Sequence, residues 1–106
     1  MPELPEVETT LRGIEPALRN RRVEHIVVRE PRLRWPVPPA VRSVRNQAVK
    51  RLFRRAKYLL IELEKGGLML HLGMSGSLRI VHQSEAPGRH DHVDVVLNDG
   101  RALRFN

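Results

Sequence analysis

Val93-Asp94-Val95-Val96-Leu97-Asn98-Asp99-Gly100-Arg101-Ala102-Leu103-Arg104-Phe105 reads as two short strands folded back on each other. Branched aliphatic residues favour extended backbone, and glycine accepts the positive φ that a tight reversal requires. The pattern recurs upstream. Residues 58–64 and 68–72 flank a second hairpin signal, Lys65-Gly66-Gly67, and strands are also expected at 49–54 and 77–81. One more is expected at 23–29, around the apolar cluster Ile26-Val27-Val28. Closely spaced strands joined by tight turns indicate an antiparallel sandwich or barrel.

Ahead of these strands the period changes. Val7, Leu11, Ile14 and Leu18 recur at helical spacing, Pro5 suits a first helical turn, and Glu3, Glu6 and Glu8 complement the helix dipole. A helix over 5–18 is expected. Gly13 and Pro16 weaken its second half, which predicts a bend or an early end. Pro31, Pro36, Pro38 and Pro39 disfavour regular structure and leave a loop with room for one helical turn at 40–44. A polar loop is expected at 83–90. The fold class is therefore α+β: an antiparallel β-sandwich with an N-terminal helix and at most a second short helix.

At 106 residues the chain suits one domain, and its 41% apolar residues are enough to build one core. Lys and Arg outnumber Asp and Glu by 19 to 12, a net charge of +7 that favours a polyanionic partner, nucleic acid before an anionic membrane surface. No apolar run is long enough to span a bilayer, and the acidic opening is unlike a signal peptide, so a cytoplasmic protein is expected. There is no cysteine, hence no disulfide or thiolate metal site within the chain. Arg104-Phe105-Asn106 ends on a strand, which leads us to expect that the natural protein continues.

The opening Met1-Pro2-Glu3-Leu4-Pro5-Glu6 carries chemistry if the initiator methionine is removed. Pro2 then presents a secondary amine. A free α-amino group has a pKa of about 7.7–8.0, so part of it is unprotonated and nucleophilic at neutral pH. Its adduct with an aldehyde is an iminium ion, which withdraws electrons and promotes loss of a β-phosphate. Glu3 is placed for general acid–base work on the sugar ring. The opening can equally be read as an acidic, proline-bearing helix start.

Five segments carry a family resemblance: Pro2-Glu3-Leu4-Pro5-Glu6-Val7-Glu8-Thr9, Arg32-Leu33-Arg34-Trp35-Pro36-Val37, Arg54-Arg55-Ala56-Lys57-Tyr58-Leu59-Leu60, His71-Leu72-Gly73-Met74-Ser75-Gly76-Ser77-Leu78-Arg79 and His90-Asp91-His92-Val93-Asp94. In this order and over the whole chain, they resemble the bacterial formamidopyrimidine-DNA glycosylases. Endonuclease-eight enzymes, which share the proline and glutamate, are the nearest alternative. The resemblance implies that Pro2 is the Schiff-base nucleophile, Glu3 the catalytic acid/base and Glu6 a supporting carboxylate. Lys57 matches the lysine used at the damaged nucleotide's phosphate and in elimination. His71 and His90 match DNA contacts, and Met74 matches a wedge that fills the gap left by an everted base. Without the resemblance Lys57 reads as a solvated lysine in a local cationic field with Lys50, Arg51, Arg54 and Arg55, although strand alternation sends some of these to opposite faces. The histidines read as half-buried, and Met74 as packing under its loop. His90 and His92 lack an evident third metal ligand.

The reaction so implied is bifunctional excision of oxidised purines such as 8-oxoguanine and formamidopyrimidines from double-stranded DNA in base-excision repair. An AP-lyase activity then cuts the strand by β,δ-elimination without a cofactor. In the full family a helix–two-turn–helix domain and a four-cysteine zinc finger follow the catalytic domain, and both are missing from these 106 residues. The resemblance therefore implies a catalytic domain of weakened activity, within a monomeric enzyme associated with the bacterial nucleoid. A non-catalytic DNA-binding fragment is the other class of function.

Overall fold

The computed structural model describes residues 4–30, 38–71 and 77–106, with side chains from Glu6 onward. Pro2, Glu3 and Met74 lie outside the described residues.

Helix α1 spans Leu4–Leu18 and buries Val7, Ile14, Ala17 and Leu18, with Leu11 packed beside them. Neither Gly13 nor Pro16 shortens it. Pro16 is exposed, as is Arg12 one turn earlier, so the carbonyl that proline leaves unbonded faces solvent while Ala17 and Leu18 hold the last turn in the core. Asn20 ends the helix with a left-handed φ of 61°, a conformation asparagine tolerates.

The expected strands form with ends shifted by one or two residues: β1 Arg22–Val28, β2 Gln47–Arg55, β3 Tyr58–Leu63, β4 Gly67–His71, β5 Leu78–His82, β6 Val93–Leu97 and β7 Arg101–Phe105. The short turn after the prolines is a 3-10 helix, Pro39–Ser43. Every pairing is antiparallel, in the order β4-β3-β2-β1-β6-β7-β5. β1 and β2 share only the pairs Arg22↔Ala48 and Val23↔Gln47, so the sheet has a corner there. Its two halves close over the main core, built from Val23, Ile26, Val95, Leu97 and Leu103 on one side and Val49, Leu59, Ile61 and Leu63 on the other, while Val81, Val96 and Ala102 form a smaller cluster on the outer face. Helix α1 packs against β2, β3 and β5, covering the open side of this sandwich.

Two bulges set which residues face that core. In β2, Val49 pairs with Leu63 but Arg51 pairs with Glu62, leaving Lys50 as an extra residue. Beyond it Leu52 and Arg54 lie opposite the buried Ile61 and Leu59 and share their face, while Arg51, Phe53 and Arg55 turn outward. A similar shift in β1 surrounds Glu24. Among the described residues no helix is long and apolar enough to cross a membrane.

Candidate functional site

Hairpin β2–β3 closes through only Ala56 and Lys57, since Arg55 already pairs with Tyr58. Ala56 has φ of +53°, a region that costs a residue with a Cβ roughly 1–2 kcal/mol. Arg54 holds it there, itself anchored on the helix. Arg54 donates Nη1 to the Ala56 carbonyl at 3.0 Å and places Nε 3.1 Å from Glu8 Oε2 on α1. Lys57 follows at the tip, half-buried, and its ammonium has no partner among the described residues. Tyr58 next to it pairs with His71 across β3–β4, their rings 5.0 Å apart and tilted by 52°. His71 Nδ1 is buried and unpartnered among the described residues. Lys57 thus sits one residue before the strand partner of His71, at the same end of the sheet.

The cations around Lys57 do not act as one field. Arg54 turns to the helix, and Arg51 stacks 4.2 Å over the Phe53 ring and pairs with Glu62 at 3.3 Å, whereas Lys50 and Arg55 are exposed. Glu6 is exposed in the first turn of α1. Because α1 starts at Leu4, Pro2 and Glu3 immediately precede its N-terminus.

His90 belongs to the loop joining β5 to β6, every residue of which is exposed from Gln83 to His90, and its ring meets that of His92 edge-on at 6.1 Å. This loop is tied down by a charge network that sequence reasoning missed. Arg79, Arg104, Asp94 and Val27 form one cross-strand row on the outer face of the sheet. Arg104 is completely buried, bonded to Asp94 at 2.9 and 3.0 Å and to the Glu85 carbonyl at 2.9 Å. Arg29 adds a bond to Asp94 at 2.7 Å. Asp91, next to His90, accepts Arg79 at 2.8 and 3.0 Å, the Gly88 N–H at 2.7 Å and the Asn106 side-chain amide at 3.2 Å.

These partners decide the charge states. Arg79 first and the Gly88 N–H second hold the Asp91 carboxyl far below the usual carboxylate range. Burial works against ionisation of Asp94, but its bonds to Arg29 and Arg104 outweigh that and lower its pKa. The signal was present in the sequence as charges inside apolar strands, Asp94 among valines and Arg104 beside Leu103. Such residues are rarely buried unless paired.

Ser77 and Asn106 exchange backbone hydrogen bonds, and Asn106 holds Asp91. Residues 71 and 77 are six positions apart, a distance of at most about 20 Å. Among the described residues no hydrogen bond, ion pair or ring contact joins Lys57 or His71 to the loop of His90. No cluster of three metal-binding side chains occurs among the described residues. A polar pocket of about 460 Å³ at the β1–β2 corner is lined by Arg22, Asn46 and Glu64, among others, and by none of the expected site residues.

The family model for the formamidopyrimidine-DNA glycosylase N-terminal domain matches residues 1–106. The formamidopyrimidine-DNA glycosylase of Alcanivorax borkumensis is 60% identical over the whole chain, which spans 39% of that relative's length, and one from Haemophilus influenzae is 56% identical over the same shares. Among solved structures, the Lactococcus lactis formamidopyrimidine-DNA glycosylase bound non-covalently to DNA containing an AP site superposes with a TM-score of 0.85. It is 28% identical, and the match covers 97% of this chain and 40% of that one. The same glycosylase with DNA containing FAPY-dG gives 0.85 at 27% identity, covering 97% and 39%. The sequence matches over all 106 residues and the fold over 97% of them, and the chain belongs to the formamidopyrimidine-DNA glycosylase family, matching its N-terminal domain.

Proposed function

We propose that this chain is the catalytic portion of a bifunctional DNA glycosylase and AP lyase that excises oxidised purines from duplex DNA. The observation that carries the reading is Lys57, without a partner among the described residues, set at a two-residue hairpin tip next to Tyr58, the strand partner of His71, and tied through Arg54 to helix α1. A lysine with no carboxylate partner among the described residues, in a chain of net charge +7, suits an anionic phosphate.

In the reaction so assigned, the lesion is everted and the unprotonated Pro2 amine attacks the sugar carbon that bears the base. The carbon–base bond breaks, and the base leaves with its bonding electrons and takes up a proton. Glu3 protonates the ring oxygen as the sugar opens, giving an iminium ion between Pro2 and the sugar carbon. Loss of a proton from the adjacent carbon expels the 3′-phosphate, and a second elimination expels the 5′-phosphate. Lys57 serves the phosphate and supplies a proton, while Met74 fills the space left by the base. Glu6 supports the acid–base group, and His71 and His90 contact the DNA backbone. The zinc finger of the wider family needs four cysteines. This chain has none and cannot build that site from its own residues, so no step runs through it. A monomer acting in the bacterial cytoplasm fits this role.

Borohydride reduction of the protein with an abasic-site duplex tests the reading. A covalent adduct and strand cleavage are expected. A non-catalytic DNA-binding module would shift the duplex in a gel and leave no adduct.

A further inference from the structure

Catalysis as proposed above needs two groups from separate elements to work on one sugar, the amine ahead of α1 and the ammonium at the β2–β3 tip. Among the described residues a single ion pair joins those two elements, Arg54 to Glu8 at 3.1 Å. Its geometry is specific. The bulge at Lys50 shifts the β2 register so that Arg54 shares the face of buried Leu59, toward the helix, and does not point outward with Arg51 and Arg55. From there the guanidinium spends Nε on Glu8 and Nη1 on the carbonyl of Ala56, the residue immediately before Lys57 and the one held at positive φ. The other oxygen of Glu8 is 3.5 Å from Arg12 on the same helix, which fixes the carboxylate from its second side.

We propose that Arg54 is a positioning residue, a brace between α1 and the β2–β3 hairpin that sets the distance and direction of Lys57 relative to the N-terminal amine. It acts through Glu8 on one side and the Ala56 carbonyl on the other, and need not touch DNA. The proposal rests on the glycosylase reading above. A shift of about 1 Å between reacting groups can cost on the order of a hundredfold in rate, so a brace shows itself in turnover. A phosphate contact shows itself in affinity and its salt dependence.

The test uses the natural protein carrying this chain at its full length, on an abasic-site duplex, with strand cleavage and borohydride trapping measured for Arg54→Ala, Arg54→Lys, Glu8→Gln and the double variant Glu8→Gln/Arg54→Ala. For Arg54→Ala we expect kcat to fall by about ten- to a hundredfold, with KM and the salt slope unchanged. Arg54→Lys should retain part of the rate, because an ammonium can reach one partner but not both. Glu8→Gln should lower kcat less, and the double variant should be no slower than Arg54→Ala alone, since both changes cut the same tie. A raised KM with a shallower salt slope and unchanged kcat would make Arg54 a phosphate contact and overturn the brace, as would multiplicative losses in the double variant. If Arg54→Ala lowers the melting temperature enough to obscure its rate, Glu8→Gln, a change at a part-exposed carboxylate, decides alone by the same kcat-against-KM criterion. Wild-type protein that gives no adduct would remove the glycosylase reading and this proposal together, whereas active wild type with unaffected variants removes only the brace.

Discussion

The outer face of β5, β6 and β7 and the tip of β2–β3 are both rich in charge, and they treat it in opposite ways. On the outer face Arg104 and Asp94 are 0% and 3% exposed and bonded to each other, to Arg29 and to the carbonyl of Glu85. At the tip Lys57 has no partner among the described residues and Arg54 keeps a third of its side chain in solvent. A buried charge must be paired to be tolerated, so the first group serves the fold. An unpaired charge at the surface costs the fold little and stays available to a ligand.

The largest expected effect is at the buried pair. Asp94→Ala leaves Arg104 buried without its carboxylate, and we expect a loss of about 3–5 kcal/mol in a denaturant titration, enough to unfold much of a marginal domain. A loss under about 1 kcal/mol would mean that water or another acceptor takes over the guanidinium. At the tip the outcome reverses. Lys57→Ala should lower strand cleavage by about a hundredfold or more while changing stability by less than about 0.5 kcal/mol. A lowered melt with cleavage unchanged would place Lys57 with the structural charges.

A smaller effect separates Asp91 from Asp94, because its partner Arg79 is 43% exposed in its side chain and can return to water. Asp91→Asn should lower the melting temperature by roughly 4–8 °C near neutral pH. The sign with pH follows from the depressed carboxyl. Its contribution is complete above the unfolded value of about 3.9 and fades as pH falls below it toward the lower folded value. The gap between wild type and variant should therefore be widest above pH 5 and narrow on acidification, as followed by circular dichroism. A gap that widens in acid would contradict the assigned charge state.

The same contrast explains what could be read from the sequence. Element types were legible because period carries them: Val7, Ile14 and Leu18 on one face of α1, and the glycine turns at Gly66 and Gly100, whose φ angles are +84° and +87°. The candidate site residues are named only through the family resemblance, since no local pattern separates Lys57 from any other lysine at a turn. Bulges were not legible. One extra residue at Lys50 decides whether Arg54 faces the helix or the solvent, and that follows from the pairing with β3. The Asp94 network was hidden for a related reason, as its partners Arg29 and Arg104 lie 65 and 10 positions away and meet it only once the sheet forms. The early end that Pro16 suggests does not occur, because a breaker on the solvent face of a packed helix is overridden by the burial of its neighbours.

Whether the amine of Pro2 is the nucleophile is decided by comparing two fractions of the same sample. Intact-mass spectrometry gives the fraction of protein that begins at Pro2, and borohydride trapping on an abasic-site duplex gives the fraction that can be cross-linked. A proline within a peptide bond has its nitrogen lone pair delocalised into the carbonyl, so protein that retains Met1 cannot react by this route. The trapped fraction should never exceed the processed fraction and should vanish in preparations that keep Met1. An adduct formed by protein shown to retain Met1 would contradict this and make a lysine, Lys57 first, the nucleophile instead.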